Sequence, residues 1–123
     1  MTYAWIIAGA VAGAPLRYFL GSRVGAGEWG PFPAGTLFVN VTGCFLIGLI
    51  LGLSEERGGL SREARLLLVT GFLGSYTTFS AFGWETYSLA RGDEVARAAA
   101  NVVLSVVLGI AAVWMGASLA RTV

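Results

Sequence analysis

The sequence predicts an all-α membrane protein: a single domain over residues 1–123 with four transmembrane helices, a break in the third, and an antiparallel, dual-topology homodimer. Three observations carry that expectation. The first is composition: 56% of the residues are hydrophobic, only 12% are charged, and the mean hydropathy is +0.75. A small soluble fold has too much surface relative to its volume to be covered by so few polar groups. The second is the placement of charge, which leaves uncharged runs at 1–16, 29–54, 66–84 and 98–120. At about 1.5 Å per residue, each run covers, or nearly covers, roughly 30 Å of hydrocarbon. The third is the even split of arginines between the two membrane faces, taken up below.

Helices are expected at 3–22, 34–54, 63–90 and 94–120. The connections SRVGAGEWGPFP, EERGGLSR and RGDE carry the glycine, proline and charge of loops at a membrane surface, and none is long enough to hold another domain. The first helix extends past its uncharged run if Arg17 snorkels to the headgroups. No basic residue precedes that run and GAPLRYFLGSR continues it, so it reads as part of the mature chain rather than a leader. Within it, Gly9-x-x-x-Gly13 allows close backbone approach, as Gly48-x-x-x-Gly52 does in the second helix.

Polar groups at membrane depth are costly and should face protein, water or an ion. In the second helix, Asn40 lies within TLFVNVTGCFLIG, with Thr36 one turn before it and Gly43 nearly one turn after. In the fourth, Asn101, Ser105 and Gly109 form one polar or small stripe at four-residue spacing. Two readings stand: these groups tie helices together, or they line a track for a solute that accepts hydrogen bonds, most naturally an anion.

The third run contains GSYTTFSAF, residues 74–82, where an apolar helix turns hydroxyl-rich. Gly74 weakens the helix, while Thr77, Thr78 and Ser80 can compete for backbone groups or cap a new helix. A break at this depth survives only where it is buried or lines a cavity, and its freed carbonyls could hold a cation without any carboxylate. The segment after the break starts with exposed N–H groups and a positive dipole end, which suit an anion. Phe79 and Phe82 share a face, and phenylalanine ring edges are electropositive; the same spacing also suits plain core packing. Glu85 follows three residues later on that face, either marking the interface or moving with a passing ion.

Several functions are excluded. There is no histidine and only one cysteine, Cys44, so disulfide formation within the chain, zinc, iron or copper sites, and histidine-dependent nucleophilic catalysis have no residues to work with. A net charge of +1 with no basic stripe gives nucleic acid nothing to bind. No phosphate-binding Gly-Lys-Ser/Thr run is present.

All the basic residues are arginines. With four spans, Arg57, Arg62, Arg65 and Arg121 fall on one side, and Arg17, Arg23, Arg91 and Arg97 on the other. Basic residues in short loops set orientation. An even split lets the chain insert both ways, and opposite copies can pair about a twofold axis in the membrane plane.

Segment 71–85, GFLGSYTTFSAFGWE, resembles the signature of the Fluc (CrcB) fluoride channels, small four-helix bacterial membrane proteins. GAVAGAPLRYFLG, residues 9–21, resembles that family's first-helix motif. GTLFVNVTGCFLIG, residues 35–48, resembles the second, and NVVLSVVLGIAAVWMG, residues 101–116, the last helix. The likeness runs in order over nearly the whole chain. It implies passive fluoride efflux, and so fluoride resistance, across the bacterial cytoplasmic (inner) membrane, through two pores in a lipid-embedded antiparallel homodimer. It further implies that Phe79 and Phe82 belong to a box of phenylalanines around the ion and that Asn40 and Ser105 line a polar track. Thr78 and Glu85 would lie along the pore and Arg17 near its vestibule. The carbonyls of Gly74 and Thr77 would hold a structural sodium ion at the dimer interface. The chain departs from the pattern at Asn101, where some members carry a track tyrosine, and at Ala81, where threonine is common.

Two other classes remain to be distinguished. Small multidrug transporters are also four-helix antiparallel dimers, but they depend on an acidic residue in the first span, and MTYAWIIAGAVAGAPL has none. A passive assembly or lipid-packing protein would conduct no ions when purified into liposomes.

Overall fold

A computed structural model describes Met1–Val123, and every regular element in it is helical. Four stretches are long and apolar enough to cross a membrane: Thr2–Gly25, Ala34–Glu56, Arg62–Arg91 and Val95–Ala120. Their ends fall within about three residues of those expected from the charge pattern, because uncharged length is what a bilayer selects. The elements are α1 (Thr2–Gly25), α2 (Ala34–Glu56), α3 (62–76), α4 (Phe79–Arg91) and α5 (Val95–Ala120).

Only 19 of the 123 residues are buried, and large apolar side chains such as Ile7, Phe19, Val107, Ile110 and Trp114 point outward. In water this exterior would be untenable; in lipid it is the expected one. Lipid tails are as apolar as leucine, so the helices are held by close packing rather than by hydrophobic sorting. The glycines show how. A side chain at Gly48 would run into the Val113 carbonyl, and one at Gly116 into the Phe45 carbonyl, so α2 and α5 touch backbone to backbone. Gly52 faces Ala117 and Ala120 on the same seam. Across the bundle, Gly9 abuts the Leu67 carbonyl and Gly13 the Phe72 carbonyl, seating α1 on α3. Both small-residue motifs of the sequence therefore sit at helix crossings.

α3 has an uncommon winding. Residues Arg65–Leu73 form a π-helix, and the Gly74 N–H still reaches back five residues to the Val69 carbonyl. Wide turns of this kind are rare and tend to lie near functional sites. Just beyond, Tyr76 is 2% exposed and forms a small core with Val39 and Leu73, its ring stacked on Phe72 at a centroid distance of 5.7 Å. Its hydroxyl lies 2.7 Å from Thr42 Oγ1 on α2. This core anchors the chain immediately before the segment that matters most.

Candidate functional site

Between α3 and α4, two residues leave the helical region: Thr77 has φ −88° and ψ 159°, and Thr78 has φ −150° and ψ 115°. Gly74 does not depart; its φ of −62° and ψ of −29° are helical, so the change of path comes three residues after the glycine. The reason lies in the side chains that receive the displaced backbone groups. The Thr78 N–H donates to Asn40 Oδ1 at 2.8 Å, and Asn40 Nδ2 donates back to the Thr78 carbonyl at 3.0 Å. The side-chain amide offers a donor and an acceptor side by side, and the Thr78 N–H fixes which end is oxygen. The Ala81 N–H donates to Thr78 Oγ1 at 3.2 Å, which makes Thr78 the cap of α4.

These bonds have a second effect. In an unbroken helix the Thr78 N–H would close on the Gly74 carbonyl and the Ala81 N–H on the Thr77 carbonyl. Both donors are diverted, so both carbonyls lose their helical partners.

Two cavities have Thr78 in their lining. The inner one, about 420 Å³, is lined by Asn40, Gly74, Thr77, Thr78, Phe79, Phe82 and Ser105, with Cys44 and Val106 among its other walls. The outer one, about 770 Å³, runs between α1, α2 and α4 past Arg17, Thr36, Thr78, Ser80 and Glu85. Thr78 lines both. All nine candidate residues thus line one or other of these two cavities, Arg17 and Glu85 the outer, the others the inner, with Thr78 in both linings.

The rings of Phe79 and Phe82 lie 5.4 Å apart, tilted by 43°, at the inner cavity. Phe79 is 83% exposed in the single chain, far more than a core aromatic. Thr36 Oγ1 donates to Glu85 Oε1 at 2.7 Å, fastening α4 to α2, while Glu85 Oε2 is buried without a partner. Ser105 Oγ, at the inner cavity, is likewise buried and unpartnered. Asn40 keeps one amide hydrogen free after binding Thr78, because its NH₂ carries two.

The stripe on α5 divides. Asn101 is 1% exposed and donates to Thr86 Oγ1 at 2.9 Å, so it fastens α5 to α4 and borders neither cavity. Gly109 packs toward Cys44 Sγ. Of the three, only Ser105 faces the inner cavity. Sequence reasoning did not single out Cys44 as a cavity wall or Tyr76 as an anchor. A cysteine one turn from Asn40 and a tyrosine beside the threonine pair were the available signals.

Fold and site together define a small multi-pass helical membrane protein with two cavities that share Thr78 in their linings. The family described as CrcB-like protein, Camphor Resistance (CrcB), matches residues 4–117, and the chain belongs to it. A protein of Solibacter usitatus named fluoride-specific ion channel FluC is 50% identical over 121 residues, covering 98% of this chain and 99% of that protein. Proteins of the same name from Roseiflexus sp. and Nitrobacter winogradskyi are 50% identical over 117 residues and 45% identical over 120 residues. The first alignment covers 94% of each chain, the second 96% of this chain and 94% of the relative.

Proposed function

We propose that this chain is a fluoride-selective ion channel giving passive fluoride efflux across the bacterial cytoplasmic membrane. It acts in transport and is not an enzyme. The observation that carries the reading is the inner cavity, lined by Phe79 and Phe82 together with Asn40, Thr78 and Ser105, which shares Thr78 with the Arg17-bearing outer cavity. Extensive likeness to relatives named as fluoride-specific channels supports it.

Fluoride is small, accepts hydrogen bonds and gives up water reluctantly. A path for it needs donors that replace water one at a time and a constriction too tight for chloride. The Arg17 guanidinium supplies positive potential at the outer cavity. The Thr78 and Ser80 hydroxyls and the N-terminal end of α4 continue the donor surface inward. The free amide hydrogen of Asn40 and the unpartnered Ser105 Oγ then supply hydrogen bonds beside the electropositive edges of Phe79 and Phe82. Hydrogen fluoride enters cells as a neutral acid and ionises at the higher internal pH; a selective pore lets the trapped anion leave without collapsing the membrane potential through chloride.

The working unit is an antiparallel dual-topology homodimer with two pores. Balanced arginines favour insertion both ways. The 83% exposure of Phe79, a residue of the inner cavity, leaves that wall for a second copy to complete. The interruption of the third span is the pore-lining break, at a depth where irregular backbone needs protein or water around it. Its Gly74 and Thr77 carbonyls, freed of helical donors, suit a structural sodium ion at the dimer interface. When bound, sodium would neutralise carbonyl dipoles that lipid cannot satisfy.

The test is fluoride and chloride efflux from liposomes holding the purified protein, with Phe82→Ile alongside. Rapid electrogenic fluoride release with chloride retained, lost in the variant, is expected. A folded dimer that passes no fluoride would refute the channel.

A further inference from the structure

We infer that Asn40 and Thr78 are positioning residues for the cation: they create its site by withdrawing two amide donors from the carbonyls that would bind it. The inference rests on the sodium reading above and deepens it. The geometry is specific. A carbonyl that accepts an intrahelical bond has spent much of its acceptor strength, and a site built of such carbonyls would be weak. Asn40 Oδ1 takes the Thr78 N–H at 2.8 Å, and Thr78 Oγ1 takes the Ala81 N–H at 3.2 Å. The two acceptors so released, Gly74 and Thr77, are three residues apart and border the same cavity. Neither Asn40 nor Thr78 needs to touch the ion.

The bond from Asn40 Nδ2 to the Thr78 carbonyl completes the clamp by holding Thr78 extended, so that its N–H cannot swing back toward Gly74. The roles separate by chemistry. Clamping Thr78 needs an acceptor for its N–H and a donor for its carbonyl, and the amide of Asn40 supplies both. Capping Ala81 needs only a hydroxyl, which serine retains.

The experiment measures the thermal unfolding midpoint of the full-length, detergent-purified protein as sodium chloride replaces choline chloride at constant ionic strength. Asn40→Ala and Thr78→Val should each raise the half-saturating sodium concentration roughly tenfold, as expected when a competing hydrogen bond returns to the carbonyl. Thr78→Ser, which keeps the hydroxyl that caps Ala81, should stay close to the unmodified protein. A sodium dependence that Thr78→Val weakens and Thr78→Ser restores is what a merely structural role would not produce. If the unmodified protein is stabilised by sodium and Asn40→Ala and Thr78→Val titrate as it does, the positioning role is wrong. If sodium does not stabilise the unmodified protein at all, the sodium reading fails and the inference with it. Should Asn40→Ala not fold, the Thr78→Val and Thr78→Ser pair decides alone.

Discussion

The α2–α5 seam and the crossing from α3 to α4 hold the molecule together by opposite means. Along the seam, Gly48, Gly52 and Gly116 bring two regular helices into backbone contact, and side chains matter mostly by being absent. At the crossing, the backbone gives up its regular bonds, and Asn40 and Thr78 supply polar atoms in their place. The difference teaches where a membrane protein can afford chemistry. A seam of glycines has no spare donors or acceptors, so it can only be scaffold. A crossing rescued by side chains leaves backbone groups and cavities over, and those are what a solute can use.

The seam should be the more brittle of the two. Gly48→Val would drive Cγ atoms into the Val113 carbonyl, where there is backbone and nothing that can rotate away. The expected cost is about 3 kcal/mol, the upper end for overpacking, read as loss of folded protein in a denaturant titration. A variant that melts like the original would mean that α2 and α5 can slide apart cheaply, and the contrast would fail.

α4 is fixed to its neighbours by polar bonds, Asn101 to Thr86 and Thr36 to Glu85, more than by close backbone contact. Asn101→Ala removes a buried donor and leaves a small void at a residue that is 1% exposed, for about 2 kcal/mol in the same titration. Thr86 keeps its bond to the Phe82 carbonyl at 2.8 Å, so no buried hydroxyl hydrogen is stranded and the cost stays below that at Gly48. A loss larger than at Gly48 would place the weak point at α4 instead of the seam.

The same contrast governs how much the sequence disclosed. The four spans were legible because bilayer thickness leaves its mark on uncharged length, and the seam glycines were legible because their spacing matches the helical repeat. That a hydroxyl among Thr77, Thr78 and Ser80 could cap a new helix was legible too, but not that Thr78 would be the one. The clamp on Thr78 was not. Asn40 lies 38 residues from it, and an amide on an apolar helix reads equally well as a tie between helices or as part of a track. In the structure it makes the tie and still keeps a hydrogen to donate. The π-winding of Arg65–Leu73 left no trace either, because RLLLVTGFL supports ordinary helical turns equally well. The resemblance read from residues 71–85 gave the family directly, but not where Asn101 would point. A residue on the polar stripe of α5 faces α4, and only the packing of those two helices decides that.

The smallest expected effect separates anchoring from conduction. Thr42 Oγ1 lies 2.8 Å from the Phe38 carbonyl and 3.0 Å from that of Val39, both of which need its hydrogen, so the Tyr76 hydroxyl must be the donor in the 2.7 Å contact between them. The two deletions are therefore unequal. Tyr76→Phe leaves Thr42 bonded to a backbone carbonyl and should cost about 0.5 kcal/mol, whereas Thr42→Val strands a hydroxyl on a residue that is 2% exposed and should cost about 1.5 kcal/mol. The double variant should be less destabilised than Thr42→Val alone, since the orphaned donor has gone. Neither residue borders either cavity, so fluoride efflux from liposomes should persist in all three, unlike Phe82→Ile. Efflux lost in Tyr76→Phe with stability intact would instead make the anchor before Thr77 part of the conduction path, and the boundary between scaffold and pore would have to be redrawn to include the last residue of α3.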